Sequence, residues 1–239
     1  MNHTPIRHIW IGTSGLVLPV PNKNAFPEEY KKGSRLTYYA SLFNSIEINS
    51  SFYKIPQGAT FARWTGEVPE DFRFTIKLHQ SITHVPNLHY NPAVLTRFIQ
   101  AASQLAAKKG CLLIQFPPSI KMDHLGALEN LLNAITHIDD SWRLAVEFRH
   151  NSWYQPATNA LLDRFQAALV LHDMPASKIT TPTNAPFTYL RFHGPAGDYK
   201  GSYATSTLEE YGKLIREWQD AGKEVYVYFN NTIGDAIAD

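Results

Sequence analysis

An α/β fold, and within that class a (β/α)8 TIM-like barrel, is what this 239-residue sequence predicts. Three observations predict it. Eight short apolar segments of strand length recur along the chain. Between most of them, apolar residues recur every three or four positions, the period of a helix packed on one side. Most of the strand segments also run out into a polar or charged side chain, and such barrels build their sites at that end of their strands. The rival is an open doubly wound sheet. It binds ligands at a switch-point crevice and usually carries a glycine-rich turn after its first strand, for which Gly12-Thr13-Ser14-Gly15 offers only two glycines.

The first strand is His8 to Gly12. A helix follows with Leu36, Tyr39, Ala40 and Phe43 on one face and Ser34 as its N-cap. Strand two is Ser45 to Asn49, Thr60 to Trp64 gives a short helix, and strand three is Phe72 to Lys77. The clearest helix carries Val94, Leu95, Phe98, Ile99, Ala102 and Leu105, with Pro92 in its first turn. Strand four, Cys111 to Phe116, is stopped by Pro117-Pro118. Leu125, Leu128, Leu131, Leu132 and Ile135 form the next helix face, before strand five at Leu144 to Phe148. Leu161, Leu162 and Phe165 mark a helix before strand six, Ala168 to His172.

The alternation then falters. Asp173 to Phe187 contains Pro175, Pro182 and Pro186, and is expected to be an irregular crossover in place of a helix. Strand seven is Thr188 to Phe192, the last full helix carries Leu208, Tyr211, Leu214, Ile215 and Trp218, and strand eight is Val225 to Phe229. The segment 234–239 is too short for a full closing helix, so the last helix is expected to be truncated. Missing helical cover predicts exposure of Val170, Leu190 and Val225, with Pro175, Ile179 and Phe187 covering the first gap. With no repeat, linker or low-complexity segment, residues 1–239 are expected to form a single domain.

Hydrophobic residues make up 44% and charged residues 18%, which suits a chain with a sizeable core. A net charge of +1 provides no global field towards nucleic acid or a membrane surface. Lys31-Lys32 and Lys108-Lys109 read as solvated faces. The single cysteine, Cys111, sits within an apolar strand and reads as a core residue, which with the absence of a disulfide fits a reducing cytosol. Neither a signal-peptide h-region nor a stretch of roughly 20 apolar residues is present, so a cytoplasmic location is expected.

Several motifs, in order, resemble the DUF72 (YecE-like) family. They are Gly12-Thr13-Ser14-Gly15, then Tyr39-Ala40 to Phe43-Asn44, then Ile46-Glu47-Ile48-Asn49-Ser50-Ser51-Phe52-Tyr53. They continue through Phe72 to Lys77 with Ile82-Thr83-His84, Gln115-Phe116-Pro117-Pro118, and Glu147-Phe148-Arg149-His150 with Ser152-Trp153. They end with Arg191-Phe192-His193-Gly194 and Tyr228-Phe229-Asn230-Asn231. The resemblance implies a TIM-barrel fold and no particular activity, since the family has no established one. Two departures stand out: Leu16-Val17-Leu18-Pro19 replaces an aromatic pair usual in the family, and the helix usual after the final Asn-Asn is not evident.

Charges inside strands are costly unless paired, so their recurrence at strand ends points to a shared polar pocket. Period-two alternation sets Glu47 with Asn49, and Glu147 with Arg149, on one face. The expected inventory is Glu47, Asn49, Lys77, Gln115, Glu147, Arg149, His172, Arg191, His193 and Asn230, with His79, His84, His150 and Asp173 in loops just beyond. Glu47 and Glu147 are the acid–base candidates, in different environments; the structural alternative pairs them with Lys77, Arg149 or Arg191. Lys77 is a third catalytic candidate, as a cation or as a Schiff-base amine. Asn49, Gln115, Arg149, His172, Arg191, His193 and Asn230 are the substrate-binding candidates, and the cations favour an anionic group.

No cofactor is predicted, and a divalent metal on His172, His193, Glu47 and Glu147 is a minor alternative without supporting spacing. Without a G-x-S-x-G elbow, Ser14, Ser50 and Ser51 read as turn or ligand hydroxyls. Phe52, Tyr53, Trp153, Tyr199 and Tyr203 either stack on a ligand or pack over the mouth. The resulting expectation is an enzyme using general acid–base chemistry on a small polar, anionic molecule, for which hydrolysis, isomerisation and lyase chemistry all fit. The alternative is a non-catalytic module for a metabolite or single-stranded nucleic acid.

Overall fold

The structure, a computed structural model, describes residues 8–174 and 181–233. The expectations for Pro175 and Ile179 and for the closing segment 234–239 lie outside the described residues. Among the described residues nine strands pair in parallel: β1 (Ile9–Thr13), β2 (Ser45–Ile48), β3 (Arg73–Lys77), β4 (Lys109–Phe116), β5 (Arg143–Phe148), β6 (Ala168–Leu169), β7 (Leu171–His172), β8 (Phe187–Phe192) and β9 (Glu224–Phe229). They form a five-stranded sheet, β2-β3-β4-β5-β6, and a four-stranded sheet, β1-β9-β8-β7. The result is a mixed α/β fold with two parallel sheets. Among the described residues no continuous ladder closes into a barrel.

The helices are α1 (Arg35–Leu42), α2 (Ser50–Tyr53), α3 (Gly58–Thr65), α4 (Gln80–Thr83), α5 (Pro92–Ala102), α6 (Leu125–Ile138), α7 (Pro156–Arg164) and α8 (Thr205–Asp220). Their starts follow local chemistry. Ser34 Oγ accepts the Thr37 amide at 3.0 Å to cap α1, and Asn91 Oδ1 accepts the Ala93 amide at 2.9 Å, with Pro92 opening α5. The sequence did not indicate the one-turn helices α2 and α4, which directly follow β2 and β3. The helix expected to reach Leu105 stops at Ala102 and continues as tight turns to Lys108. No helix lies among the described residues between β7 and β8, where the crossover was expected.

Both seams between the sheets have a local cause. The expected sixth strand is interrupted at Val170, so β6 pairs with β5 and β7 pairs with β8; one run of chain belongs to both sheets. At the other seam, β1 and β2 share one bridge, Ser14 with Glu47. Asn44 bonds the β1 backbone on both sides, donating to Ile9 O at 2.8 Å and accepting from Ile11 N at 2.7 Å. The strands come so close that a Cβ on Gly12 would lie 1.9 Å from Ser45 O, which only glycine permits.

Three apolar clusters fill the molecule. The largest packs the five-stranded sheet beneath α1, α3, α5, α6 and α7. A second packs Leu171, Leu190, Phe192, Val225 and Val227 against Trp218 of α8. The third joins the sheets through Trp10, Cys111, Leu113, Ala145, Tyr189, Tyr226 and Tyr228. These are the alternate positions of the strands, and one or two steps further along the same faces stand the polar residues.

Two expectations are corrected here. Val170, Leu190 and Val225 are buried rather than exposed; Val170 belongs to the cluster between the sheets, and the other two lie beneath α8. Lys108 is not a solvated charge. It is buried, and its Nζ donates to Thr65 O and Val68 O at 2.8 and 2.9 Å, satisfying carbonyls at the end of α3. No described helix is long and apolar enough to cross a membrane.

Candidate functional site

The interior face of the strands carries its polarity in register. Gln115 of β4 lies opposite Glu147 of β5. Tyr189 and Arg191 of β8, and His193 directly after it, follow at intervals of two and therefore point the same way. Arg191 is the centre of the arrangement. Its Nη2 reaches Glu47 Oε1 at 2.7 Å, and its Nη1 reaches Glu147 Oε2 at 2.6 Å. Arg149 adds a second cation to Glu147, with Nη2 at 2.5 Å from Oε1. Two carboxylates from one sheet are thus held by a guanidinium from the other. Such burial is tolerable because the charges balance, two cations against two carboxylates, although Glu147 Oε1, Arg149 Nε and Arg191 Nε make no hydrogen bond among the described residues.

The remaining bonds to Glu47 come from Ser14 Oγ at 2.6 Å and Tyr189 OH at 2.5 Å. Burial pushes the Glu47 carboxyl upward, but Arg191, Ser14 and Tyr189 override it and hold the group below the ordinary glutamate value. Glu147 behaves likewise: burial opposes ionisation, while Arg149 and Arg191 hold the carboxyl well below the ordinary range. Burial also works against the charge on Arg191, yet Glu147 and Glu47 raise its pKa. At neutral pH both carboxylates are ionised, and neither carries a proton to donate.

A second group sits beside this network. The His193 amide donates to Asp173 Oδ1 at 2.8 Å, and its Nδ1 lies 3.3 Å from the same oxygen. His193 Nε2 faces Arg149 Nη2 at 3.1 Å and Arg191 Nη1 at 3.4 Å. Guanidinium nitrogens only donate, so Nε2 accepts and the proton belongs on Nδ1. Burial lowers the His193 pKa, against the pull of Asp173. Tyr203 OH donates to Asp173 Oδ2 and accepts the Gly194 amide at 2.6 Å. His172 meets Tyr154 OH at 3.3 Å through Nε2, while its Nδ1 is buried without a hydrogen bond. Burial and Arg149 lower its pKa to about 4, against Glu147.

Lys77 differs from the other charges. No carboxylate lies within ion-pair distance of its Nζ among the described residues. The ammonium sits 4.4 Å from the centre of the Phe52 ring, a cation–π contact. Burial lowers its pKa most, Arg191 adds to the effect, and Glu147 and Glu47 oppose it; the value is about 8.

The other expected residues divide. Gln115 is buried, with its amide committed to Phe116 O at 3.0 Å. Asn49 takes helical backbone angles at the start of α2 and lines a separate cavity with Leu16, Leu36, Ile48 and Trp64, its Oδ1 buried without a partner. Asn230 is half-buried and bonds Phe192 O through its backbone amide. Among loop residues, His150 caps the turn Asn151–Trp153 and His79 caps α4. Trp153 is fully buried, stacked on Phe148 at 4.3 Å, so it packs rather than awaiting a ligand. Ser51 Oγ donates to Ile48 O and Lys77 O. Among the described residues no three His, Cys, Asp or Glu side chains converge as a metal site. Sequence reasoning missed Tyr189, although its spacing of two from Arg191 was a signal for it.

A family described as "Protein of unknown function DUF72" matches residues 10–239. The UPF0759 protein YunF of Bacillus subtilis (strain 168) is 26% identical, over 97% of this chain and 91% of its own length. The UPF0759 protein YecE of Escherichia coli (strain K12) is 29% identical over 50% of this chain and 43% of its own. The crystal structure of a DUF72 family protein from Thermotoga maritima MSB8 superposes with a TM-score of 0.75 at 26% identity, covering 97% of this chain and 95% of that one. A DUF72 family protein from Enterococcus faecalis V583 gives 0.76 at 24% identity, over 96% and 91%.

Proposed function

This chain belongs to the DUF72 family of proteins of unknown function, and we propose that it is an enzyme of proton transfer acting on a small anionic molecule, with Lys77 as the group that exchanges the proton. The observation that carries this reading is Lys77 itself. It is an amine on the interior face, without a carboxylate partner among the described residues, set against Phe52, with its pKa lowered to about 8. A general base works best with a pKa near the working pH. Glu47 and Glu147 are satisfied by Arg191, Arg149, Ser14 and Tyr189, so their part is to fix a preorganised field. Arg149, Arg191 and Lys77 stand against the two carboxylates Glu47 and Glu147, and that excess of one positive charge favours an anionic substrate.

For the scaffold we infer a (β/α)8 barrel whose ladder is interrupted at two seams. The run through Val170 shared between the sheets, and the Asn44 clasp beside the single β1–β2 bridge, support that reading. It places the Glu–Arg network at the carboxyl ends of the strands, where barrels of this kind carry their sites.

The test is solvent exchange. Pools of small carboxylates and phosphate esters are incubated with the protein in D2O and read by proton NMR. Wild type is expected to wash deuterium into a substrate at a rate that rises with pH and levels off above about 8. Lys77→Gln is expected to lose about 100-fold or more of that rate. Equal exchange by the variant would remove Lys77 from the reaction. A second reading, a non-catalytic binding module, is favoured by one observation: both carboxylates are already ion-paired with arginines. Ligand binding without exchange or turnover in wild type would select it.

A further inference from the structure

Beside the charged network lies a second cleft that the reading above leaves unused. Its volume is about 710 Å3. One wall is the segment from Tyr53 to Gly58 between α2 and α3; the others come from His79 and Ser81 at α4, and from Arg97 and Ala101 on α5. Among the described residues no aspartate or glutamate lines it. Lys54 and Arg97 are exposed and make no ion pair among the described residues.

Tyr53 is the unusual member. It is 71% exposed, the most exposed large apolar side chain described, yet its surroundings are fixed. His79 Nδ1 accepts the Ser81 amide at 3.2 Å, which leaves Nε2–H to donate to Tyr53 O at 3.3 Å. The ring meets Phe52 edge-on at 5.0 Å, and the Phe52 ring in turn carries the Lys77 ammonium at 4.4 Å. An anchored backbone holds an aromatic face towards water, beside two unpaired cations, next to the interior site.

We propose that this cleft binds a mononucleotide, with its base against the Tyr53 ring and its phosphate between Lys54 and Arg97. A bare phosphate would use the cations and leave the ring and most of the volume idle. An uncharged aromatic would leave both cations unanswered. A ring joined to a phosphate uses all three, since bases stack on tyrosine and guanidinium groups grip phosphate in pairs of bonds. The proposal is independent of the role given to Lys77, which does not line the cleft.

The experiment is calorimetric titration of the full chain with adenosine 5′-monophosphate, inorganic phosphate and adenosine at low salt. The nucleotide is expected to saturate, and both partial ligands to bind about tenfold or more weakly. Lys54→Glu and Arg97→Glu should each weaken the nucleotide about tenfold, and Tyr53→Ala about fivefold or more. All three positions are exposed, so thermal melts should match wild type. Lys77→Met should retain the nucleotide within about twofold. Absence of saturation up to about 5 mM, or one dissociation constant shared by wild type and all three variants, overturns the proposal. So does a loss of binding confined to Lys77→Met, which would move the nucleotide out of the cleft.

Discussion

Arg191 holds two glutamates, and that count decides what each residue can do. Removing one carboxylate leaves the guanidinium buried with half its compensation, and leaves Arg149 unanswered as well. Glu147→Gln is therefore expected to lower unfolding stability by about 3–5 kcal/mol in urea titrations. A melt unchanged from wild type would mean that the pairing is dispensable. The sequence disclosed the members of this network better than their roles. Charges inside strands, alternating with apolar residues, placed Glu47, Glu147, Arg149 and Arg191 on one face. It did not disclose that the arginines claim both carboxylates, because pairing depends on which strands face each other across the interior. Asn49 left the set because α2 begins at its position, and the shortness of that helix hid it from any periodic signal.

Strands and long helices were legible because burial imposes their period; the seams were not, because each rests on a particular side chain or a break in pairing. The expected sixth strand read as one continuous run, Ala168 to His172, yet its pairing changes sheets at Val170. At the other seam, Asn44 takes the place of a ladder hydrogen bond on both sides of Trp10. Asn44→Ala leaves an amide and a carbonyl of β1 unanswered and is expected to destabilise the protein by about 1–3 kcal/mol. Hydrogen exchange should show the loss concentrated in β1, with β4 and β5, central in their sheet, keeping their protection. Uniform loss across all strands would show that the clasp is not local.

For the whole molecule, the buried titratable groups set a direction in pH. His172 and His84 have folded values lowered to about 4 from an ordinary 6.5. The unfolded chain therefore binds protons first, and the stability these groups contribute above pH 6.5 is lost as pH falls towards 4. Glu47 and Glu147, lowered from 4.5, add their loss only in more acid solution. Urea midpoints should fall between pH 7 and 5, and more steeply below 4.5; a flat profile from pH 7 to 4 would contradict this. The pairing of β1 with β9 also bears on how the protein is made. Ile9 meets Val225, more than 200 residues later. At ribosomal speeds of about 5–20 residues per second, the first strand waits on the order of ten to forty seconds for its partner. Throughout that interval the nascent chain carries an unzipped apolar edge beginning at Trp10, while the five-stranded sheet, contiguous in sequence, is complete once β6 emerges, well before β9. Biosynthesis therefore leaves the newborn protein dependent on whatever shields that edge until β9 emerges.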